Sequence, residues 1–471
     1  MNNYDVSITA CDLYFCPIKT RVPLKFGIET TTHVVSARSF MTVTSHNGVT
    51  EQGIGETPLS VAWVWPGSLS YSYRLEQLKK FTINLRDAWR QCSYSGHPME
   101  IGHRFIQNEL RNLWKSHNEQ VDEEHAIPWL AALVCNSLFD ISLYDAYGNI
   151  HEISVWDTLC PPYMNNDLAF YYTDEHVKPF RGKYPQDYIV NSENVSDSLL
   201  AWHLVGAKDI LDADSYTGEI VEDGYPFFLK DWIETDGLSC LKVKLSGTDS
   251  KWDYERLTRV GKIAMENGVL WLTADFNCTV TDVSYVCDIL DDLILNHPRI
   301  YQMILYIEQP FPYEIAEHPI DVHAVSARKP LFMDESAHEW QQVAFGRELG
   351  WTGVALKTCK TFTGALLSMC WAKEHGMTLM VQDLTNPMLA QIPHVELASR
   401  CQTIMGVETN AMQFYPEASR NEAAVHPGLY KRVDGRVSLK TLGDKGFGYR
   451  FEEIVKKMEE TGVESLWQKV D

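Results

Sequence analysis

Between Lys242 and Lys360, five short apolar runs each end in a charged or metal-binding side chain. LKVKL carries Lys242 and Lys244, and LTADFN carries Asp275 and Asn277. LYIEQP carries Glu308, LFMDES carries Asp334, and ALKTCK carries Lys357. A charge at the end of an apolar run is costly to bury unless something uses it. Asp275, Glu308 and Asp334 offer three hard oxygen donors, a set that suits one Mg²⁺ ion, with Mn²⁺ as a substitute, better than Zn²⁺. Lysines on both sides of that set suit proton transfer at a carbon alpha to a carboxylate. Such a proton is too weakly acidic for a side chain alone, and a divalent cation stabilises the resulting enediolate as a Lewis acid. A lysine acts as base only when partly neutral. A second ammonium, here Lys242 beside Lys244, is expected to lower its pKa.

To bring these residues together, the runs must be neighbouring strands of one sheet. Runs rich in Leu, Val and Ile, separated by amphipathic stretches, read as parallel strands joined by helices. Strands are expected near 240–245, 270–275, 303–308, 330–334, 353–357, 378–382 and 403–408. Helices are expected over Tyr254–Asn267, Val283–Leu295 and Thr363–His375. LAFYYTD, residues 168–174, is expected to be the first strand, followed by a helix and an insertion over 175–237. Eight units in about 250 residues match an α/β fold, the (β/α)8 barrel, whose catalytic groups gather at the C-terminal mouth. Side chains two apart on a strand share a face, so Lys242 points with Lys244, and Asp275 with Asn277. The strands of Asp275, Glu308 and Asp334 are neighbours, while those of Lys244 and Lys357 lie across the ring.

The chain before the barrel has a different pattern. Residues 5–57 alternate as strands, with a hairpin turn at Asn47-Gly48. Helical patterns follow from Tyr71 to about Gln91, after Pro98, and from Pro128 to Gly148. Residues 1–150 therefore read as an α+β domain and 151–424 as the barrel. Residues 425–471 are a polar, turn-rich tail that leaves the barrel and rejoins the first domain.

The Lys-x-Lys of LKVKL, the Asp-x-Asn of ADFN, IEQP, MDES and LKTCK occur in one order, one βα unit apart. In this the chain resembles the enolase superfamily, mandelate racemase/muconate lactonizing enzyme group. The resemblance extends over the N-terminal hairpin, the helix ending at Gly148 and the tail. It implies a cap built from both termini, a lid loop near Phe26–Thr32, a small carboxylate substrate and, as that family allows, a homo-oligomer. Strand 7 ends in Gln382-Asp383 rather than a His, and strand 6 carries Lys357, which matches the Lys/Lys, muconate lactonizing type. Glu408-Thr-Asn410 stands where dipeptide epimerases of that type carry Asp-x-Asp. Asn277, Gln382, Asp383, Glu408 and Asn410 are candidate substrate-binding or supporting residues. The implied activity is racemisation or epimerisation of an amino acid derivative or related carboxylic acid. Cycloisomerisation and lyase chemistry (muconate lactonizing, o-succinylbenzoate synthase-like or acid-sugar dehydration) remain open, as does a non-catalytic binding protein on the same fold.

The whole composition is compatible with this. The 471 residues carry a formal net charge of −22, which argues against nucleic-acid and anionic-membrane partners. No membrane span or secretory leader is read, and the 11 cysteines are scattered without a CxxC pair, so a cytoplasmic location is expected. Each site residue also has a plainer reading. Any one carboxylate alone could cap a helix, and Asp383 could cap the helix near Pro387. Lys360, three residues past Lys357, reads as structural, Cys359 as a small packed residue, and Trp63 and Trp65, candidate lid aromatics contacting substrate, more simply as core.

Overall fold

The computed structural model describes residues 2–26, 29–213, 216–218, 220–461 and 466–471. The cap begins with an antiparallel meander of β1 (Val6–Phe26), β2 (Glu29–Ser45) and β3 (Thr50–Pro58). The β2–β3 turn is the expected one, with Gly48 at φ +81°, a conformation open to glycine. Of the expected lid loop, residues 27 and 28 lie outside the described residues, and Glu29 to Thr32 already belong to β2. Helices α1 (Val61–Val64), α2 (Tyr71–Arg90), α3 (Pro98–Phe105), α4 (Arg111–Asn118) and α5 (Trp129–Ile150) follow, with the two-residue β4 (Ser95–Gly96) pairing β1.

Every residue of α5 from Leu130 to Gly148 is buried. The segment 123–150 is long and apolar enough to cross a membrane by length and composition, but 83% of its apolar window is buried inside the fold. It is a core helix lying directly on β3. A Cβ on Gly53 would fall 2.0 Å from the Ala146 nitrogen, and one on Gly55 would fall 1.9 Å from the Leu138 oxygen. The two glycines are what let strand and helix approach so closely.

Eight parallel strands form the barrel: β5 (Ser198–Val205), β6 (Cys240–Lys244), β7 (Trp271–Asp275), β8 (Ile304–Glu308), β9 (Leu331–Met333), β10 (Gly353–Leu356), β11 (Thr378–Val381) and β12 (Val407–Glu408). Their order is β12-β5-β6-β7-β8-β9-β10-β11. The seam between β11 and β12 is held by the Ile404 amide on the Leu379 carbonyl at 2.7 Å. Helices α6 (Leu229–Asp236), α7 (Ser250–Glu266), α8 (Val283–Asn296), α9 (Pro298–Met303), α10 (His323–Ser326), α11 (Trp340–Glu348), α12 (Phe362–Glu374) and α13 (Gln391–Cys401) connect and surround them. The tail adds β13 (Arg436–Ser438), antiparallel to β5, and a helix over Phe451–Thr461. Its last strand, β14 (Gln468–Lys469), pairs with β1, so the cap sheet takes strands from both ends of the chain.

The first strand differs from expectation. LAFYYTD is not a strand: Leu168–Phe170 is a short 3-10 turn in a turn-rich segment that precedes the barrel. Leu168, Tyr171 and Tyr172 are its buried members, a spacing of a turn rather than of a strand. The true first strand is SLLAWHLV, and it divides the supposed insertion between strands 1 and 2, with residues 175–197 before it and 206–237 after it. The last barrel strand is also shorter than 403–408, because Gly406 bends the chain at φ +57° just before Val407.

Candidate active site

Register carries the charged residues to one level. Lys244 pairs with Asp275 between β6 and β7, and Asp275 with Glu308 between β7 and β8. Asp334 follows β9 and Lys357 follows β10. β6 and β10 stand four strands apart whichever way the ring is traversed, so Lys244 and Lys357 rise from opposite walls.

The carboxylates and ammonium groups interlock. Lys242 Nζ lies 2.6 Å from Glu308, 3.1 Å from Asp275 and 3.1 Å from Glu408. Lys244 donates to Asp275 and, at 2.8 Å, to the side-chain oxygen of Asn277. Lys357 lies 3.2 Å from Asp334 and donates to the Asp383 carbonyl at 2.9 Å. Gln382 donates to Glu308, and Asn410 donates to Glu408 at 2.7 Å. The Asp383 carboxylate instead accepts the Asn386 and Asn410 amides, both at 2.6 Å, and so ties the loops after β11 and β12 together. All eleven residues singled out in the sequence meet at the mouth, Asp383 with its carboxylate turned to backbone.

Sequence reasoning missed four more. Lys360 also reaches Asp334, at 3.3 Å. The strand alternation that set it aside ends at Leu356, and a 3-10 turn over Thr358–Lys360 swings it back to the side of Lys357. Trp63, read as core, comes from α1 in the cap. Its indole donates to Glu335 at 2.8 Å, and its ring centroid is 5.1 Å from the Lys357 ammonium. Glu335 in turn interacts with the Cys278 thiol. The contact from Trp63 to Glu335 spans 272 residues of chain, a separation no local pattern reports. Cys359 packs in the cap core, as read.

Burial pushes the Lys242 and Lys357 pKa values down, but the carboxylates around each outweigh it, and both lie above the ordinary lysine value. Both are held as ammonium groups while these ion pairs stand. Burial and the neighbouring Asp275 push Glu308 well above the usual carboxylate range. Burial acts the same way on Asp275 and Asp334, yet their lysine partners hold both below it.

These donors fit a divalent cation by chemistry. Six carboxylates, Asp275, Glu308, Asp334, Glu335, Asp383 and Glu408, gather here with four ammonium groups, Lys242, Lys244, Lys357 and Lys360, all of them buried. Fully ionised, the group carries a surplus of two negative charges, the charge one divalent ion balances. The side-chain oxygen of Gln382, whose amide nitrogen bonds Glu308, is a buried acceptor without a partner. Among the described residues no three carboxylates, histidines or cysteines stand in ligand geometry.

Residues 228–455 match the family model described as enolase C-terminal domain-like. Among solved structures, the chain is similar to an enolase from Streptomyces coelicolor, at 15% identity and a TM-score of 0.59 over 97% of this chain and 99% of that one. A dipeptide epimerase from Enterococcus faecalis, complexed with Mg and L-Leu-L-Tyr, gives 14% identity and 0.58 over 94% and 99%. A muconate lactonizing enzyme from Mycobacterium smegmatis, complexed with muconolactone, gives 14% and 0.58 over 94% and 96%. At these identities the likeness is one of fold. No curated protein matches the sequence.

Proposed function

We propose that this protein, whose residues 228–455 match the enolase C-terminal domain-like family model, is an enzyme that removes the proton alpha to the carboxylate of a small substrate. The observation that carries the reading is the pair Lys244 and Lys357, set on opposite walls and each held by a carboxylate of the central set. Asp275, Glu308 and Asp334 are assigned as the residues that hold one Mg²⁺. When bound, the ion supplies Lewis-acid stabilisation to the enediolate and competes with the ammonium groups for the carboxylates. Lys244 and Lys357 then take or return the proton, one from each face of the substrate. Lys242, pinned among Glu308, Glu408 and Asp275, supplies fixed positive charge beside Lys244. Asn277 and Asn410 orient Lys244 and Glu408. Trp63 closes the mouth and excludes water from the reacting centre. Two bases on two faces support racemisation or epimerisation.

A second reading has its own observation. Lys357 is held by Asp334, by the Asp383 carbonyl and under the Trp63 ring, whereas among the described residues Lys244 is held by Asp275 and Asn277. A more tightly caged Lys357 that stays an ammonium would stabilise charge rather than transfer a proton, as a cycloisomerase or lyase needs.

Incubation in D₂O with Mg²⁺ and a panel of carboxylates tests both. Exchange of the α-proton identifies the enzyme, and single-turnover exchange with each antipode separates two bases from one. Absence of exchange across a broad panel would leave a binding protein on the same fold.

A further inference from the structure

A second cavity, of about 340 Å³, lies away from the mouth, between the end of β1, the outer side of β5, α6 and the residues after β12. That volume is in the range of small-molecule sites. Val22, Phe227, Leu229, Trp232 and Phe414 give it apolar walls, and His203 and Gln413 line it as well. Of its charged lining residues, Arg21 is paired with Asp223, Lys208 donates to Thr30, and Asp209 accepts the Gly206 amide. His203 does not face the barrel interior: its ring lies 5.4 Å from that of Trp232 on α6.

The polar pair is mismatched. Arg432, fully buried, sets a guanidinium nitrogen 2.9 Å from Nδ1 of His203. Arginine only donates, so Nδ1 accepts and the proton of the neutral ring sits on Nε2. Burial and the Arg432 charge hold His203 far below its ordinary pKa, so the ring is neutral. Yet Nε2 faces the amide nitrogen of Gln413 at 3.2 Å, donor against donor, while that nitrogen also donates to the Leu204 carbonyl at 3.0 Å. The Gln413 side-chain oxygen is buried with no partner. Turning the amide over does not help. It would give His203 an acceptor but set the Gln413 oxygen against the Leu204 oxygen and orphan the amide nitrogen. Either way the wall keeps one N–H without an acceptor and one acceptor without a donor, an arrangement that is costly when buried. A hydroxyl answers both, accepting from one group and donating to the other.

We propose that this cavity is a second binding site, for a small neutral ligand of phenol type. Its aromatic body lies against Phe227, Trp232 and Phe414. Its hydroxyl sits between His203 Nε2, from which it accepts, and Gln413 Oε1, to which it donates. The site is linked to the mouth by short steps. Gln413 bonds the Leu204 carbonyl, the Leu204 amide donates to Asn410 at 3.0 Å, and Asn410 donates to Glu408.

Phenol and benzene, titrated separately into the whole protein by calorimetry, test the site without reference to catalysis. Phenol is expected to bind one to one and at least about tenfold tighter than benzene, the gain from two matched hydrogen bonds. Val22→Trp, which fills the cavity, should abolish phenol binding. Gln413→Leu should bring the two affinities together while leaving benzene bound. The proposal is overturned if phenol fails to bind up to its solubility limit, if benzene binds as tightly, or if folded Val22→Trp protein still takes phenol.

Discussion

The floor and the mouth of the barrel are built by the same strands, two residues apart. On the floor, Trp202, Cys240, Tyr306, Phe332 and Met380 form one buried apolar layer, with Tyr306 and Phe332 stacked at 4.3 Å. One inward step further along four of those strands come Lys242, Glu308, Asp334 and Gln382. The floor needs nothing from outside the chain, because burying apolar surface is itself favourable. The mouth is equally buried and carries ionised groups whose desolvation costs several kcal/mol each before pairing offsets it. Nothing in folding asks for that layer. The contrast separates residues kept for stability from residues kept for chemistry on a single strand.

The sharpest way to break the contrast is at Glu308, the carboxylate at the centre of the charged layer. Glu308→Gln should lower α-proton exchange to background, by about 10⁴-fold or more, because Lewis-acid stabilisation of several kcal/mol goes with the carboxylate. Thermal stability should stay or rise, since burial already raises the Glu308 carboxyl well above the usual range and a glutamine of the same shape has no charge to desolvate. Isothermal Mg²⁺ titration beside the exchange assay checks both halves. Unchanged Mg²⁺ affinity in Glu308→Gln, Asp275→Asn and Asp334→Asn alike would sink the metal assignment.

Next come the lysines. Lys244→Ala and Lys357→Ala should each lose about 10²–10⁴-fold in exchange, the range for a general base. In a racemase each loss falls on one antipode only. In a cycloisomerase or lyase the two losses are unequal and fall on a single substrate hand. A double alanine variant that exchanges at the wild-type rate would remove both lysines from the mechanism.

The floor gives the opposite signature. Phe332 is fully buried in the apolar layer. Phe332→Ala should cost about 3–5 kcal/mol of stability through lost contact and the cavity left behind. Exchange per folded molecule should be nearly unchanged at a temperature where the variant is folded. Denaturant melts with the exchange assay run in parallel decide it. A large loss of turnover with little loss of stability would show that floor and mouth are not separable.

What could be read from sequence divides along the same line. The charged layer was legible because each of five strands ends in a group that apolar surroundings do not explain. The first strand was not, because SLLAWHLV ends without a charge and its one titratable residue, His203, faces outward. LAFYYTD took its place on composition, though its buried residues follow the spacing of a turn. Lys360 was set aside on strand alternation, which fails once the chain turns at Thr358. Trp63 was hidden by distance along the chain, since nothing local to α1 reports a partner on the far side of the cap–barrel seam.

That seam supplies the smallest effect, and it is a matter of pH. Asp140 on α5 accepts the Thr363 amide at 2.8 Å and its hydroxyl at 2.9 Å. Thr363 opens α12, just past the turn that carries Lys360, so this contact fastens the cap to the lysine loop. Burial pushes the Asp140 carboxyl up from 3.8 to about 6, against the two hydrogen bonds. A raised carboxyl binds its proton in the folded state over a window where the unfolded chain has already lost it. Folded protein therefore holds more protons between about pH 4 and pH 6, and stability falls as pH rises through that window. Asp140→Asn has nothing to titrate there. The stability of wild type relative to Asp140→Asn should fall by at most about 3 kcal/mol from pH 4 to pH 6, and be flat on either side. Taking the difference removes other buried carboxyls that titrate in both proteins. Urea melts of the pair across that range measure it, and a difference that rises with pH would mean Asp140 is ionised and stabilising, with the seam held by charge.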